Sequence, residues 1–130
     1  MRKTAIIPEG MQEVYDSWQM SPAVEVGGLL FFTGFTGVGQ DGAAPDEPEA
    51  QFRNIFDCIL AVLDAAGLDF GAVVEMTSYH IGLQDHLELF RKVRADYVQE
   101  PFPAWTAIEV AGFVRPGPVC EIRVIAARPD

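Results

Sequence analysis

Apolar residues recur along the chain at two different spacings, and the spacing separates helix from strand. Between residues 52 and 63 they follow at intervals of three and four, the period of an amphipathic helix: Phe52, Ile55, Phe56, Ile59, Leu60 and Leu63. Gly67 predicts the end of this helix, which should begin near Glu49. A second helix is expected over residues 85 to about 99, capped by the aspartate at its start, because Pro101 forbids its continuation.

The remaining apolar segments have the pattern of strands. Two of them, residues 23–26 and 29–33, flank Gly27-Gly28, and both glycines can adopt the positive φ of a tight hairpin turn. Further strands are predicted at residues 73–81, 105–110 and 119–126, with a short additional one at 4–7. The order β-β-α-β-α-β-β predicts a single two-layer α+β domain over residues 1–130. In it, two helices cover one face of a mixed sheet of about six strands.

The segment Leu29-Leu30-Phe31-Phe32 is apolar on both faces of its strand. Since helices cover only one face of a two-layer sheet, apolar residues on the second face need another cover. Other copies of the chain are the simplest cover, so the pattern predicts an oligomer.

Composition and charge exclude several classes of partner. The chain has 130 residues, 49% of them hydrophobic, and a formal net charge of −10. Acidic residues are in excess in both halves, whereas binding to nucleic acid or an anionic membrane needs a cationic surface. The basic cluster Arg91, Lys92 and Arg94 is interpreted as a solvated helix face. Neither nucleic acid nor a membrane is therefore expected as a partner.

The cysteines and the lengths of the apolar runs indicate the cellular compartment and whether a metal site is expected. No apolar window is long enough for a membrane span, and the first apolar run is too short for a signal peptide. Cys58 and Cys120 are interpreted as buried small hydrophobic residues in a reducing cytoplasm. No cysteine or histidine spacing predicts a metal site.

Two polar residues in predicted strands are candidates for chemistry. Glu121 lies within an apolar strand, where an unpaired carboxylate is costly, so it is either paired with Arg123 on the same face or placed for function. His80 shares the strand parity of Val74, Met76 and Ser78, and a structural histidine is favoured over a catalytic base. His86 is expected to be exposed in the first turn of the second helix.

Four segments resemble, in the right order, the RidA family, also called the YjgF or L-PSP endoribonuclease family. They read GGLLFFTG from residue 27, NIFDCILAVLDAAG from 54, FPAWTAIEV from 102 and CEIRVIA from 120. The resemblance covers about residues 20–127. It implies a chorismate-mutase-like fold and a homotrimeric barrel with a ligand cleft at each subunit interface. It further implies hydrolysis of reactive enamines and imines to a keto acid and ammonia, with no cofactor.

The resemblance assigns roles to individual positions. Glu121 matches a glutamate that positions or activates water, whereas Trp105 replaces the arginine that binds the substrate carboxylate. Ala107, Met20 and Phe90 stand where the family has a site cysteine, tyrosine and asparagine. The implied substrate-binding residues are Gly34, Phe35, Phe90, Trp105, Thr106 and Ala107, with His80 and Met20 as further candidates.

The missing arginine changes the expected substrate. Losing a buried charge-assisted pair costs about 2–5 kcal/mol, so efficient hydrolysis of small imino acids is not expected unless Arg91, Arg115 or Arg123 compensates. A cleft lined by aromatic and apolar residues favours a flatter, more apolar ligand, and burial should raise the pKa of Glu121.

Three hypotheses about function stay open on the sequence. The first is an enamine/imine deaminase-like hydrolase in which Trp105 recognises substrate by stacking and Glu121 handles water. The second is a non-catalytic trimer that binds an apolar metabolite or a partner protein in its clefts. The third, an endoribonuclease, is disfavoured by the absence of a basic surface.

Overall fold

A computed structural model of the chain describes residues 1–39 and 41–130. Three of its elements are α-helices: α1 (Gln12–Trp18), α2 (Pro48–Ala65) and α3 (Leu83–Ala95). Seven are strands: β1 (Thr4–Ile6), β2 (Ala23–Val26), β3 (Leu29–Phe32), β4 (Phe35–Thr36), β5 (Val73–His80), β6 (Ala104–Glu109) and β7 (Cys120–Ala127).

The strands form one mixed sheet in the order β1-β2-β3-β7-β5-β6, and the short β4 pairs with β7. All pairs are antiparallel except β5 and β6, which are parallel neighbours joined through α3. This confirms the predicted α+β class and the mixed sheet. The two predicted helices, the hairpin at Gly27-Gly28 and the short first strand are also present.

Three elements were not expected from the sequence: α1, β4 and the short 3₁₀ helix Phe70–Ala72. Both ends of the second predicted helix also differ, since it spans Leu83–Ala95 rather than residues 85 to about 99. None of the residues of α1 is buried, so no apolar stripe marks this helix, and β4 has only two residues. The second predicted helix begins at Leu83, and its cap is Gly82 with φ +70° rather than Asp85. The Leu83 N–H donates to Glu109 Oε1 at 3.0 Å. Part of this helix start is therefore fixed by a distant strand.

The helical layer packs on one face of the sheet, here called the helix face. From α2, Phe52, Ile55, Phe56, Ile59 and Leu63 are buried, which confirms most of the predicted stripe; Leu60 is only partly buried. They meet buried sheet residues such as Leu30, Met76 and Ile122. Both cysteines are free; Cys120 is buried but Cys58 only partly so. None of the helices within the described residues is long and apolar enough to cross a membrane.

The other side of the sheet, here called the open face, carries apolar side chains without a helix over them. In β3, Leu30 and Phe32 are buried, whereas Leu29 and Phe31 remain 40% and 39% exposed. A register shift between Val73 and Glu75 in β5 puts Val74 in solvent, so the expectation that Val74 shares a face with His80 was wrong. β3 is therefore apolar on both faces, as the sequence predicts, whereas β5 and β7 place Glu75, Thr77, Glu121 and Arg123 on the open face.

Candidate functional site

Glu121 lies on the open face in the middle of β7. It is paired with Tyr79 of β5 and with Thr36 of β4, and it sits in a depression of about 650 Å³. Its other lining residues include Thr33, Gly34, Tyr79, Val110, Phe113 and Arg123. The volume is in the range of small-molecule sites in proteins. The depression combines the Glu121 carboxylate and the Arg123 guanidinium with apolar, aromatic and glycine residues.

The Glu121 carboxyl group has no cationic partner within the described residues. Arg123 follows on the same face, but the ion pairs of residues 1–39 and 41–130 join other side chains. Burial raises the pKa of Glu121 above its usual value, which confirms the expectation from the sequence. The sequence left two interpretations of Glu121 open, an ion pair with Arg123 or placement for function, and the ion pair is not formed.

Gly34 is adjacent to this carboxylate. A Cβ at position 34 would collide with Glu121 Oε2 and lie 2.9 Å from its Cδ. The preceding residue, Thr33, donates from Oγ1 to Met20 Sδ at 3.8 Å, which places Met20 beside the same depression. The predicted site residues Gly34 and Met20 therefore lie with Glu121.

Trp105 lies on the helix face. It is paired with Met76 of β5, whose side chain is buried, whereas Glu121 is paired with Tyr79 on the open face. The Trp105 indole Nε1 donates to Ser78 Oγ at 2.8 Å. The Arg94 guanidinium lies over the indole ring, 4.2 Å from its centroid. One face of the tryptophan is therefore already covered by a cation.

His80 has no exposed surface and is the next member of this polar chain. Its Nε2 lies 2.8 Å from Ser78 Oγ, and its Nδ1 lies 3.0 Å from His86 Nε2. Burial, and then the neighbouring His86, lower the pKa of His80 to about 4. His80 is neutral at pH 7 with both ring nitrogens engaged, as expected for a structural histidine. His86 is partly buried and packs on Phe52, so its predicted exposure was wrong.

The other predicted site residues divide between the two faces. Phe90 is fully buried in the core, with its ring 5.8 Å from that of Trp105. Phe35 is paired with Ile122 and Ala107 with Ser78, which puts both on the helix face. Thr106 is paired with Thr77 on the open face. In one chain, the sheet separates Glu121, Gly34, Met20 and Thr106 from Trp105, Phe90, His80, Ala107 and Phe35.

Comparison with known proteins establishes the family to which the chain belongs. A sequence model described as endoribonuclease L-PSP matches residues 11–128. The RutC family protein YjgH of Escherichia coli K12 is 34% identical over 134 residues, covering 100% of this chain and 98% of that protein. The chain belongs to the RidA (YjgF, L-PSP) family.

Two further comparisons within the RidA family are informative. The 2-iminobutanoate/2-iminopropanoate deaminase of Escherichia coli K12 is 30% identical over 108 residues, which is 81% of this chain and 84% of that enzyme. The solved structure of a protein YjgH superposes with a TM-score of 0.88 at 33% identity, covering 100% of this chain and 99% of that one. The family expectation from the four sequence segments is thus confirmed, and so is the RidA fold.

Within this RidA-family chain, the sequence interpretation missed Arg94. Arg91 and Lys92 are exposed, as the interpretation of the basic cluster as a solvated helix face requires, but Arg94 is partly buried. That interpretation was therefore wrong for Arg94. A signal was available, because Arg94 lies four residues after Phe90 and thus on the inner stripe of α3. Among the described residues, no group of three His, Cys, Asp or Glu side chains has the geometry to hold a metal ion.

Proposed function

We propose that this RidA-family protein hydrolyses enamines or imines, with Glu121 as its acid–base residue. The observation that carries the proposal is a carboxylate with a raised pKa, unpaired, in a depression on the open face. The relatedness to an enzyme named 2-iminobutanoate/2-iminopropanoate deaminase supports the reaction class. A half-buried carboxyl group with a raised pKa is suited both to accept and to return a proton.

The chemistry can be written with one carboxylate. Water adds to the imine carbon while Glu121 accepts a water proton and passes it to the imine nitrogen. The resulting amino alcohol then loses its hydroxyl proton to Glu121 as the C=O bond forms. The C–N bond breaks, and ammonia leaves with the proton that Glu121 returns. An imine and water become a carbonyl compound and ammonia, and Glu121 ends as it began.

The arrangement of candidate residues favours a site between copies of the chain. Glu121 faces away from Trp105 across one sheet, so a ligand can touch both only if two copies meet. β6, which carries Trp105, is an edge strand, and the open face of a neighbouring copy could cover it. We propose a homotrimer with three such sites. Its free cysteines suit a reducing compartment such as the cytoplasm.

The test uses imines generated in situ from aliphatic and aromatic amino acids by an amino-acid oxidase, with ammonia release measured directly. Glu121→Gln should lower kcat/KM by roughly 100-fold or more, the usual contribution of general acid–base catalysis. Glu75→Gln is the matched control, because Glu75 is exposed on the open face and pairs with Ile125. It should retain the rate of the parent protein.

The pH profile provides a second readout. Water activation needs the carboxylate form of Glu121, whose pKa is raised above its usual 4.5. The rate should therefore increase with pH through that raised pKa, and Glu121→Gln should remove this acidic limb. Unchanged turnover in Glu121→Gln would contradict the assigned role. Ligand binding without turnover of any imine would favour the non-catalytic trimer.

The ribonuclease activity suggested by the name of the family model is not proposed for this chain. Its net charge is −10, and binding of a polyanion needs a cationic surface.

A further inference from the structure

Arg94 is the one arginine of the described residues that is partly buried and yet has no carboxylate partner. Arg53, Arg91 and Arg128 each pair with a carboxylate, and Arg2, Arg115 and Arg123, which also lack an ion pair, are exposed. The Arg94 Nε is also the one buried side-chain nitrogen or oxygen there that lacks a hydrogen-bond partner. A partly buried cation without an anion is costly in a folded protein.

The guanidinium is nevertheless held in a defined place. Arg94 lies 4.2 Å over the Trp105 ring, and Trp105 is fixed by its hydrogen bond to Ser78 and by packing against Phe90. Ser78 is in turn 2.8 Å from the buried His80 ring. Stacking of a guanidinium on an aromatic ring leaves the N–H donors at its edge available. In Arg94 the Nε is buried, so the two Nη groups are the donors that match a carboxylate in bidentate geometry.

Its location suits a ligand at the margin of the sheet. Arg94 projects from the last turn of α3, and Trp105 belongs to the edge strand β6. Burial, and then the nearby Arg91 charge, lower the pKa of Arg94, as expected for a cation that no carboxylate of residues 1–39 and 41–130 compensates. An anion bound here would remove that cost.

We propose that Arg94, stacked on Trp105, binds the carboxylate of the substrate. The substrate would then be the imine or enamine of a 2-oxo acid rather than a neutral apolar imine. This inference rests on the proposed function and changes the role of Trp105. The indole supports a guanidinium supplied by the neighbouring helix, and it does not itself replace the lost arginine by stacking on the ligand. With Arg94 in this role, small imino acids are expected substrates, because the guanidinium missing at position 105 is supplied from α3.

The experiment measures binding rather than turnover. The probes are 2-oxobutanoate, a stable 2-oxo acid, and butanone, which lacks its carboxylate; dissociation constants are obtained by calorimetry or NMR titration. Arg94→Gln should weaken 2-oxobutanoate binding about tenfold or more, the range for a lost hydrogen bond to a charged group. Arg91→Gln removes the same charge from the same helix and should change it less than about twofold, because Arg91 is exposed and paired with Glu88. Butanone should bind weakly and equally to all three proteins.

Arg94→Lys guards against a folding defect in Arg94→Gln. Lysine keeps the charge but not the fork, so its affinity for 2-oxobutanoate should fall between those of the parent and Arg94→Gln. Equal affinity for 2-oxobutanoate in the parent and both Arg94 variants would overturn the proposal. So would a change in oligomer mass with unchanged affinity, since Arg94 would then pair with a carboxylate of another subunit.

The outcomes separate this inference from the proposed function. Arg94-dependent binding of 2-oxobutanoate without any imine turnover would leave the carboxylate site standing and remove the hydrolase. Turnover of neutral and carboxylate-bearing imines at equal rates would support the hydrolase and overturn the role of Arg94.

Discussion

Position 34 needs a residue without a side chain, because the Glu121 carboxylate occupies the space that a Cβ would fill. The backbone of Gly34 is not in the left-handed region, so alanine can adopt its conformation. The consequence of adding a methyl group is therefore local. It must displace the carboxylate on which the proposed chemistry depends.

We expect Gly34→Ala to fold normally and to lose activity by roughly 10- to 100-fold, the scale of a small misplacement of a catalytic group. Imine turnover and far-UV circular dichroism measure the two effects. Gly112→Ala is the matched control within the same depression, since a Cβ there would meet no atom within 4 Å and so leaves the Glu121 carboxylate in place. A Gly34→Ala protein with the parent rate would show that the position of Glu121 does not matter.

The environment of a single side chain could be predicted from the sequence where it depends on one strand or helix alone. The raised pKa of Glu121 was predicted from its position within the apolar strand β7, and burial does raise it. The pairing of Arg94 with Trp105 could not be predicted, because it depends on how α3 lies against β6. The same reason explains why Phe90 and Trp105 were grouped with Glu121, although the sheet separates them in one chain.

Elements with long periodic patterns were predicted well. Short elements, and those that depend on contacts with residues far away in the sequence, were not. The stripe of α2 and the alternation of β7 extend over 18 and 8 residues. By contrast, α1 buries nothing, and the start of α3 involves a carboxylate of β6 that is far away in sequence. The residues around the start of α3 therefore cannot reveal such a partner.

Gln51 of α2 is hydrogen-bonded to two loops, and the one between β6 and β7 lines the Glu121 depression. It is buried within the apolar stripe, and its Nε2 donates to Pro45 O at 2.7 Å and Gly117 O at 3.2 Å. Its Oε1 accepts from the Val119 N–H at 2.9 Å. Two separate loops are thus tied to a single helix position.

Gln51→Leu should lower the free energy of unfolding by about 2–4 kcal/mol, because buried backbone groups lose their partners. Urea unfolding measures this loss. Amide hydrogen exchange should increase most in the segment 111–119, which leads into β7. Gln84→Leu, at an exposed position of α3, should change stability by less than about 0.5 kcal/mol. Equal stability of the two variants would contradict the bracing role of Gln51.

At the scale of the molecule, the net charge opposes association of several copies of the chain, whereas the exposed apolar surface favours it. Each chain carries −10, so association of several copies brings like charges together. The open face nevertheless exposes Leu29, Phe31, Val74 and Ile108, which favours contact with another apolar surface. The family relationship was predicted from the sequence and is confirmed; the trimer remains a prediction.

This balance makes the assembly testable with one substitution. Phe31→Glu puts a carboxylate in the middle of the open face, where an apolar interface would leave it buried and unpaired. We expect a folded monomer by light scattering, without imine hydrolysis, because each proposed site needs two copies. Gln84→Glu adds the same charge at an exposed helix position and should keep both the parent mass and the parent rate. In the parent protein, raising the salt concentration should strengthen association, since salt screens the repulsion between acidic subunits and leaves apolar contacts intact. An active Phe31→Glu monomer would exclude a site shared between subunits, and Glu121 would then have to act within one chain.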